Sequence, residues 1–104
     1  MAAYWLARAR IIDPKGYNEY REATKRIAGN FPRKVLARGG RFEVVEGQTH
    51  FDRFVILEYP SFDAAMTYFH SPEYQAASEL RRHGAGENEV VIVDGVMPGA
   101  GDGG

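Results

Sequence analysis

Cysteine is missing from all 104 residues, so disulfides, thiolate metal sites and cysteine nucleophiles are excluded. A charge excess of either sign is missing too: 13 basic and 14 acidic residues leave a net charge of -1. So balanced a chain exerts no bulk pull on nucleic acid or an anionic membrane, and neither is an expected partner. Long apolar runs are absent. The longest runs of large aliphatic or aromatic side chains, Phe54–Leu57 and Val90–Val93, are four residues each, against the ~20 that a membrane helix needs. Arg8 and Arg10 interrupt the first apolar stretch before a signal-peptide core could form, so a cytoplasmic protein is expected. His50, His70 and His83 form no HxxxH or HxH pair, and no metal site or bound cofactor is expected. Gly39-Gly40 is flanked by strand rather than by a helix start, and no serine sits in a nucleophile elbow.

What is present is a regular alternation of periods. Ala3 to Ile11 alternates with period two, Trp5, Ala7, Ala9 and Ile11 on one face and Tyr4, Leu6, Arg8 and Arg10 on the other, which predicts a strand. Asp13-Pro14 then opens a helix, with Asp13 as cap and Pro14 in the first position. Tyr17, Tyr20, Ala23 or Thr24, and Ile27 form its inner stripe, Arg21 falls largely outside, and Gly29-Asn30 with Pro32 stops it. Lys34 to Glu46 reads as one long strand, in which Gly39-Gly40 marks a bulge or a close backbone approach. A turn over 47–52 leads to a strand over Arg53–Tyr59. Ser61 caps a second helix with Phe62, Ala65, Met66 and Phe69 as its stripe. Ser71-Pro72-Glu73 breaks and restarts it, with Tyr74, Ala77 and Leu80 facing inward, and a last strand covers Glu89–Val96.

The order strand–helix–strand–strand–helix–strand consists of two βαβ halves of similar length. Two such crossovers interleave into one antiparallel sheet with the helices on one face, the ferredoxin-like α+β plan. One domain is expected over residues 2–97, and 98–104 as a flexible Gly-rich tail. The sheet's other face is left bare, carrying Leu6, Phe54 or Val55, and Val91 or Ile92. A homodimer closed sheet to sheet into a barrel would cover it.

Asp13-Pro14-x-Gly16-Tyr17 with Tyr20-Arg21, Arg38-Gly39-Gly40, Glu46-Gly47, Glu58-x-Pro60-Ser61, Ser71-Pro72-Glu73-Tyr74, Leu80-Arg81-Arg82 and Asp94-Gly95 follow one another at a familiar spacing. In their order, over residues 2–96, they resemble a small family of dimeric α/β-barrel proteins, the domain of unknown function 1330. The resemblance implies a ferredoxin-like fold and a dimer, and carries no catalytic residues with it. A Tyr-Gly-Gly usual in that family before the second strand reads Phe31-Pro32-Arg33 here. Cofactor-free monooxygenases and isomerases share the wider fold, which is analogy alone.

Two features could carry function. Arginine recurs in strands, at Arg8, Arg10, Arg38, Arg41 and Arg53, with Glu43, Glu46 and Glu58 as the available partners. Either these charges pair with one another structurally, or a guanidinium of Arg8 or Arg38 holds a carboxylate or enolate in a pocket between helices and sheet. Tyrosines on the helices are the second feature. Tyr17 and Tyr74, each one turn into a capped helix, are core rings or phenols lining that pocket. The ligand-binding candidates are therefore Arg8, Tyr17, Arg38 and Tyr74. The catalytic candidates are Glu58, near a strand end, and Tyr17. The expected function is binding of a small anionic or aromatic molecule by a homodimer, extending to cofactor-free isomerisation or oxygenation. The alternative is a non-catalytic binding or assembly module with the arginines in ion pairs.

Overall fold

The structure, a computed structural model, describes residues 1–96; the segment 98–104, expected as a tail, lies outside the described residues. In chain order it contains β1 (Ala3–Ile11), α1 (Pro14–Ile27), a 3-10 turn (Ala28–Asn30), β2 (Lys34–Arg38), β3 (Arg53–Tyr59), α2 (Phe62–His70), α3 (Pro72–Arg82) and β4 (Gly86–Asp94). The strands form one antiparallel sheet in the order β2-β3-β1-β4, with β2 and β4 as open edges. This is the ferredoxin-like plan read from the sequence, with the helices on one face.

The helix starts follow their cap chemistry. The Asp13 carboxylate accepts from the Lys15 N–H at 3.2 Å, and Pro14 takes a first-turn position where no N–H is needed. Ser61 Oγ accepts from the Ala64 N–H at 3.0 Å. Ser71 serves both helices it separates. Its hydroxyl donates to the Tyr68 carbonyl at 2.7 Å, closing α2, and accepts from the Tyr74 N–H at 3.1 Å, opening α3. Ser71→Ala should therefore cost about 1–2 kcal/mol, the upper part of the usual capping range. Urea denaturation followed by circular dichroism measures it.

Register sorts the sheet residues between its faces. Ala3, Trp5, Ala7 and Ala9 of β1 lie opposite Tyr59, Leu57, Val55 and Arg53 of β3 on the helix side. Trp5, Leu57, Tyr59, Ala65, Tyr68 and Tyr74 make the buried core. Leu6, Phe54, Ile56, Val91 and Val93 take the opposite face. Four of them are counted among the exposed large hydrophobic residues of the single chain: Leu6 at 40%, Ile56 at 36%, Val91 at 46% and Val93 at 44%. So Phe54 and Val91, not Val55 and Ile92, belong to the bare face.

Three expectations need correction. The strand read over Lys34–Glu46 ends at Arg38, and residues 39–52 form neither helix nor strand. Gly39 adopts φ +64°, which leaves the β region, and nothing pairs with β2 on its outer side. The bulge lies upstream of the glycines, between Val35 and Ala37, with Leu36 unpaired. Leu80 is exposed, while Ser78 and Arg81 are buried in its place beside Tyr74 and Ala77. Arg21 is half-buried rather than outside.

Candidate functional site

Between α1, the start of α3 and the sheet lies a cavity of about 490 Å³, a size suited to a small organic molecule. Trp5, Val55, Leu57 and Val90 give it an apolar sheet wall, and Tyr17, Tyr20 and Tyr74 come from the helices. Arg21, Lys25, Arg33, Arg38 and Arg53 also border it, and among the described residues no aspartate, glutamate or histidine does.

The β2 bulge decides where Arg38 points. Val35 lies opposite Leu57, on the helix side. Without the bulge, strict alternation would send Arg38 to the bare face. With Leu36 unpaired, Arg38 lies opposite Val55 and faces the cavity. Arg53, two residues before Val55, is its diagonal neighbour on the same face. The Arg53 guanidinium packs against the backbone of Gly39, where a Cβ would overlap Nη1. Gly39 is thus needed twice, for its positive φ and for the space it leaves Arg53. Arg21 approaches from α1. Among the described residues none of these three arginines makes a salt bridge. Burial lowers Arg53 below the ordinary arginine range, and the positive charges of Arg21 and Arg38 lower it further. Three like charges on an unpaired wall are a cost that a bound anion would remove.

Tyr17 Oη accepts from the Asn88 amide at 3.1 Å, and Asn88 Oδ1 is buried without a partner. Deeper in, Tyr20 Oη and Tyr74 Oη lie 3.0 Å apart. Arg81 Nη2 donates to Tyr74 Oη at 3.3 Å, with its guanidinium 5.1 Å from the Tyr20 ring centroid. Arg33 Nη1 donates to Tyr59 Oη at 3.2 Å and its guanidinium lies 5.1 Å from the centre of the Tyr68 ring. Tyr68 Oη is buried and unpartnered.

Burial pushes the Tyr68 phenol up to about 12. An unfolded tyrosine ionises near 10, so between about pH 10 and 12 the unfolded chain sheds a proton that the folded chain keeps. This contribution is complete below pH 10 and is lost as pH rises toward 12. Unfolding free energy should fall over that window, and the fall should be smaller in Tyr68→Phe. Urea denaturation at pH 9 and pH 11.5 checks the sign.

Of the residues singled out in the sequence, Tyr17, Arg38 and Tyr74 meet at the cavity. Arg8 also borders it, but its guanidinium is engaged elsewhere. Nε and Nη2 donate to the two Glu89 oxygens at 2.8 and 3.2 Å, over the Phe51 ring. Arg8 and Glu89 are register partners, so this pair belongs to the sheet. Glu58 stands apart from the cavity and accepts from the Tyr4 hydroxyl at 3.2 Å. Glu43, Glu46 and Glu58 pair with none of the strand arginines. Arg53 is one of the strand arginines and Tyr20 one of the inner-stripe residues read from the sequence, but neither they nor Arg21 and Arg81 are among its site candidates. Helical spacing places Tyr20 and Arg21 one turn from Tyr17, and Thr24 two turns, on the same face, a signal that charge alone obscured. Among the described residues no group of three His, Asp or Glu side chains could hold a metal, and no helix is long and apolar enough to cross a membrane.

Residues 2–96 match a family described as a domain of unknown function, DUF1330. No curated protein sequence matches the chain. Solved structures share its fold. One is a protein of unknown function from Rhodopseudomonas palustris, 20% identical, covering 93% of this chain and 84% of that one at a TM-score of 0.73. A second is a dimeric ferredoxin-like protein of unknown function from Jannaschia, 15% identical, covering 90% and 99% at 0.66. A third, from Deinococcus radiodurans, is described as a candidate antibiotic biosynthesis monooxygenase; it is 15% identical and covers 93% and 94% at 0.56. At these identities the likeness is one of fold.

Proposed function

Because this chain belongs to the DUF1330 family, whose description carries no activity, we propose a function from the cavity itself: a homodimer that binds a small organic anion between helices and sheet. One observation carries the reading. Arg21, Arg38 and Arg53 converge on an apolar, tyrosine-lined space with no carboxylate in its wall among the described residues. Structural arginines are normally neutralised by partners, as Arg8 is by Glu89. These three are not, and a guanidinium cluster of that kind matches the oxygens of a carboxylate. The apolar wall suits a hydrophobic or aromatic body on the same molecule.

Dimer formation is supported by the bare apolar face and by the dimeric state in the description of the Jannaschia neighbour. The alternative, with arginines purely in ion pairs, is favoured at Arg8 alone. Light scattering should give twice the chain mass of 11.6 kDa. Calorimetric titration with benzoate and with the neutral benzamide tests the site. Benzoate should bind and benzamide should not. Equal behaviour of the two would contradict an anion site.

A further inference from the structure

Hydrogen counting at the buried end of the cavity gives more than the charge does. Tyr20 and Tyr74 bring two hydroxyl hydrogens to one contact of 3.0 Å, which uses one of them. Arg81 can only donate, and it does so to Tyr74 Oη. Whichever phenol donates within the pair, one phenolic hydrogen is left over with no acceptor among the described residues. Both hydroxyls belong to side chains that line the cavity. Tyr68, 1% exposed and also in the wall, has a hydroxyl with no hydrogen-bond partner among the described residues. Arg81 is itself 6% exposed and has no carboxylate partner among the described residues. Glu79, on the same helix, is engaged by Arg82 and His83 instead. This end of the cavity therefore has surplus donors backed by a buried cation. The unpartnered amide oxygen Asn88 Oδ1, which can only accept, sits beside Tyr17 instead.

We propose that the ligand is an acid carrying a second oxygen, a carbonyl or a phenolate or enolate oxygen, which the Tyr20–Tyr74–Arg81 chain holds while the arginines hold the carboxylate. This rests on the anion-binding reading above and specifies its ligand class: keto acids and hydroxyaryl acids, with the spacer lying against Trp5 and Val90. Arg81 acts through Tyr74 and is a positioning residue. Relayed through two phenols, its charge favours the ionised form of a distal hydroxyl. With no carboxylate or imidazole in the wall among the described residues, these side chains are suited to stabilising an oxyanion that the ligand already carries.

The probe is 4-hydroxy-3-nitrobenzoate, whose phenolate absorbs in the visible and whose phenol ionises near neutral pH. Its reference is 3-nitrobenzoate, which keeps the nitro group and lacks the distal hydroxyl. The hydroxy compound should bind about tenfold or more tightly, with its apparent phenol pKa lowered by about one unit on binding. Tyr20→Phe, and independently Tyr74→Phe, should abolish both differences, the hydroxy compound then binding no more tightly than 3-nitrobenzoate does to the same variant. Melting curves check that each variant is folded. Equal binding of the two probes, with no pKa change, overturns this inference and leaves the anion site standing. Failure of both probes to bind overturns the anion site and this inference with it.

Discussion

Trp5→Ala is expected to lower the unfolding free energy by about 3–5 kcal/mol, the usual cost of deleting a buried tryptophan or phenylalanine. Trp5 is 3% exposed and is surrounded by rings from three other elements. Tyr74 meets it edge-on at 5.4 Å, Tyr68 lies at 5.5 Å, Phe69 at 6.0 Å and Tyr59 at 6.2 Å. These neighbours cannot close the gap together. Tyr59 is fixed in β3, Tyr68 in α2 with Arg33 against its ring, and Tyr74 in α3 by Tyr20 and Arg81. A small domain has about 5–15 kcal/mol in total, so the variant should be near its folding limit at room temperature. Circular dichroism is the readout, because Trp5 is the chain's one tryptophan and its fluorescence goes with it. A loss under 1 kcal/mol would mean that the aromatic cluster is not the centre of the core.

The second large effect is on binding. Arg38→Gln combined with Arg53→Gln should weaken benzoate by about a hundredfold or more, since each hydrogen bond to a charged group contributes about 1.5–3 kcal/mol. The same double variant should be no less stable than the native chain in the absence of ligand. Arg38 and Arg53 are diagonal neighbours of like charge without carboxylate partners, so their removal relieves repulsion. Arg8→Gln behaves oppositely under the same reasoning. It loses the Glu89 pair, an exposed interaction of small value, and should leave benzoate affinity nearly unchanged.

The fold was legible because its signals are local and periodic. Alternation in β1, the Asp13-Pro14 and Ser71-Pro72 starts, and the equal βαβ halves lead directly to the observed order. The extent of β2 was not legible. Residues 41–46 have strand-like composition, but a strand needs a partner strand, and among the described residues none pairs with them. The site was half legible. Tyr17 and Tyr74 followed from helix phase, and an arginine pocket from the strand arginines. Arg38's orientation depended on a one-residue bulge that alternation cannot locate. Arg81 was hidden because arginine near a helix end ordinarily complements the dipole in solvent. Here two phenols from different helices hold it inside. Arg8 misled for a related reason: its partner Glu89 is 81 residues away and meets it only through β1–β4 register.

Melting temperatures of the native chain and the Arg38→Gln/Arg53→Gln variant, each with and without saturating benzoate, test the anion site most directly. The native chain should gain several degrees from benzoate, as expected when a ligand binds the folded state alone. The double variant should melt at or above the native temperature without benzoate and gain nothing from it. A variant that melts well below the native chain, with no benzoate shift in either protein, would make these arginines structural and contradict the site.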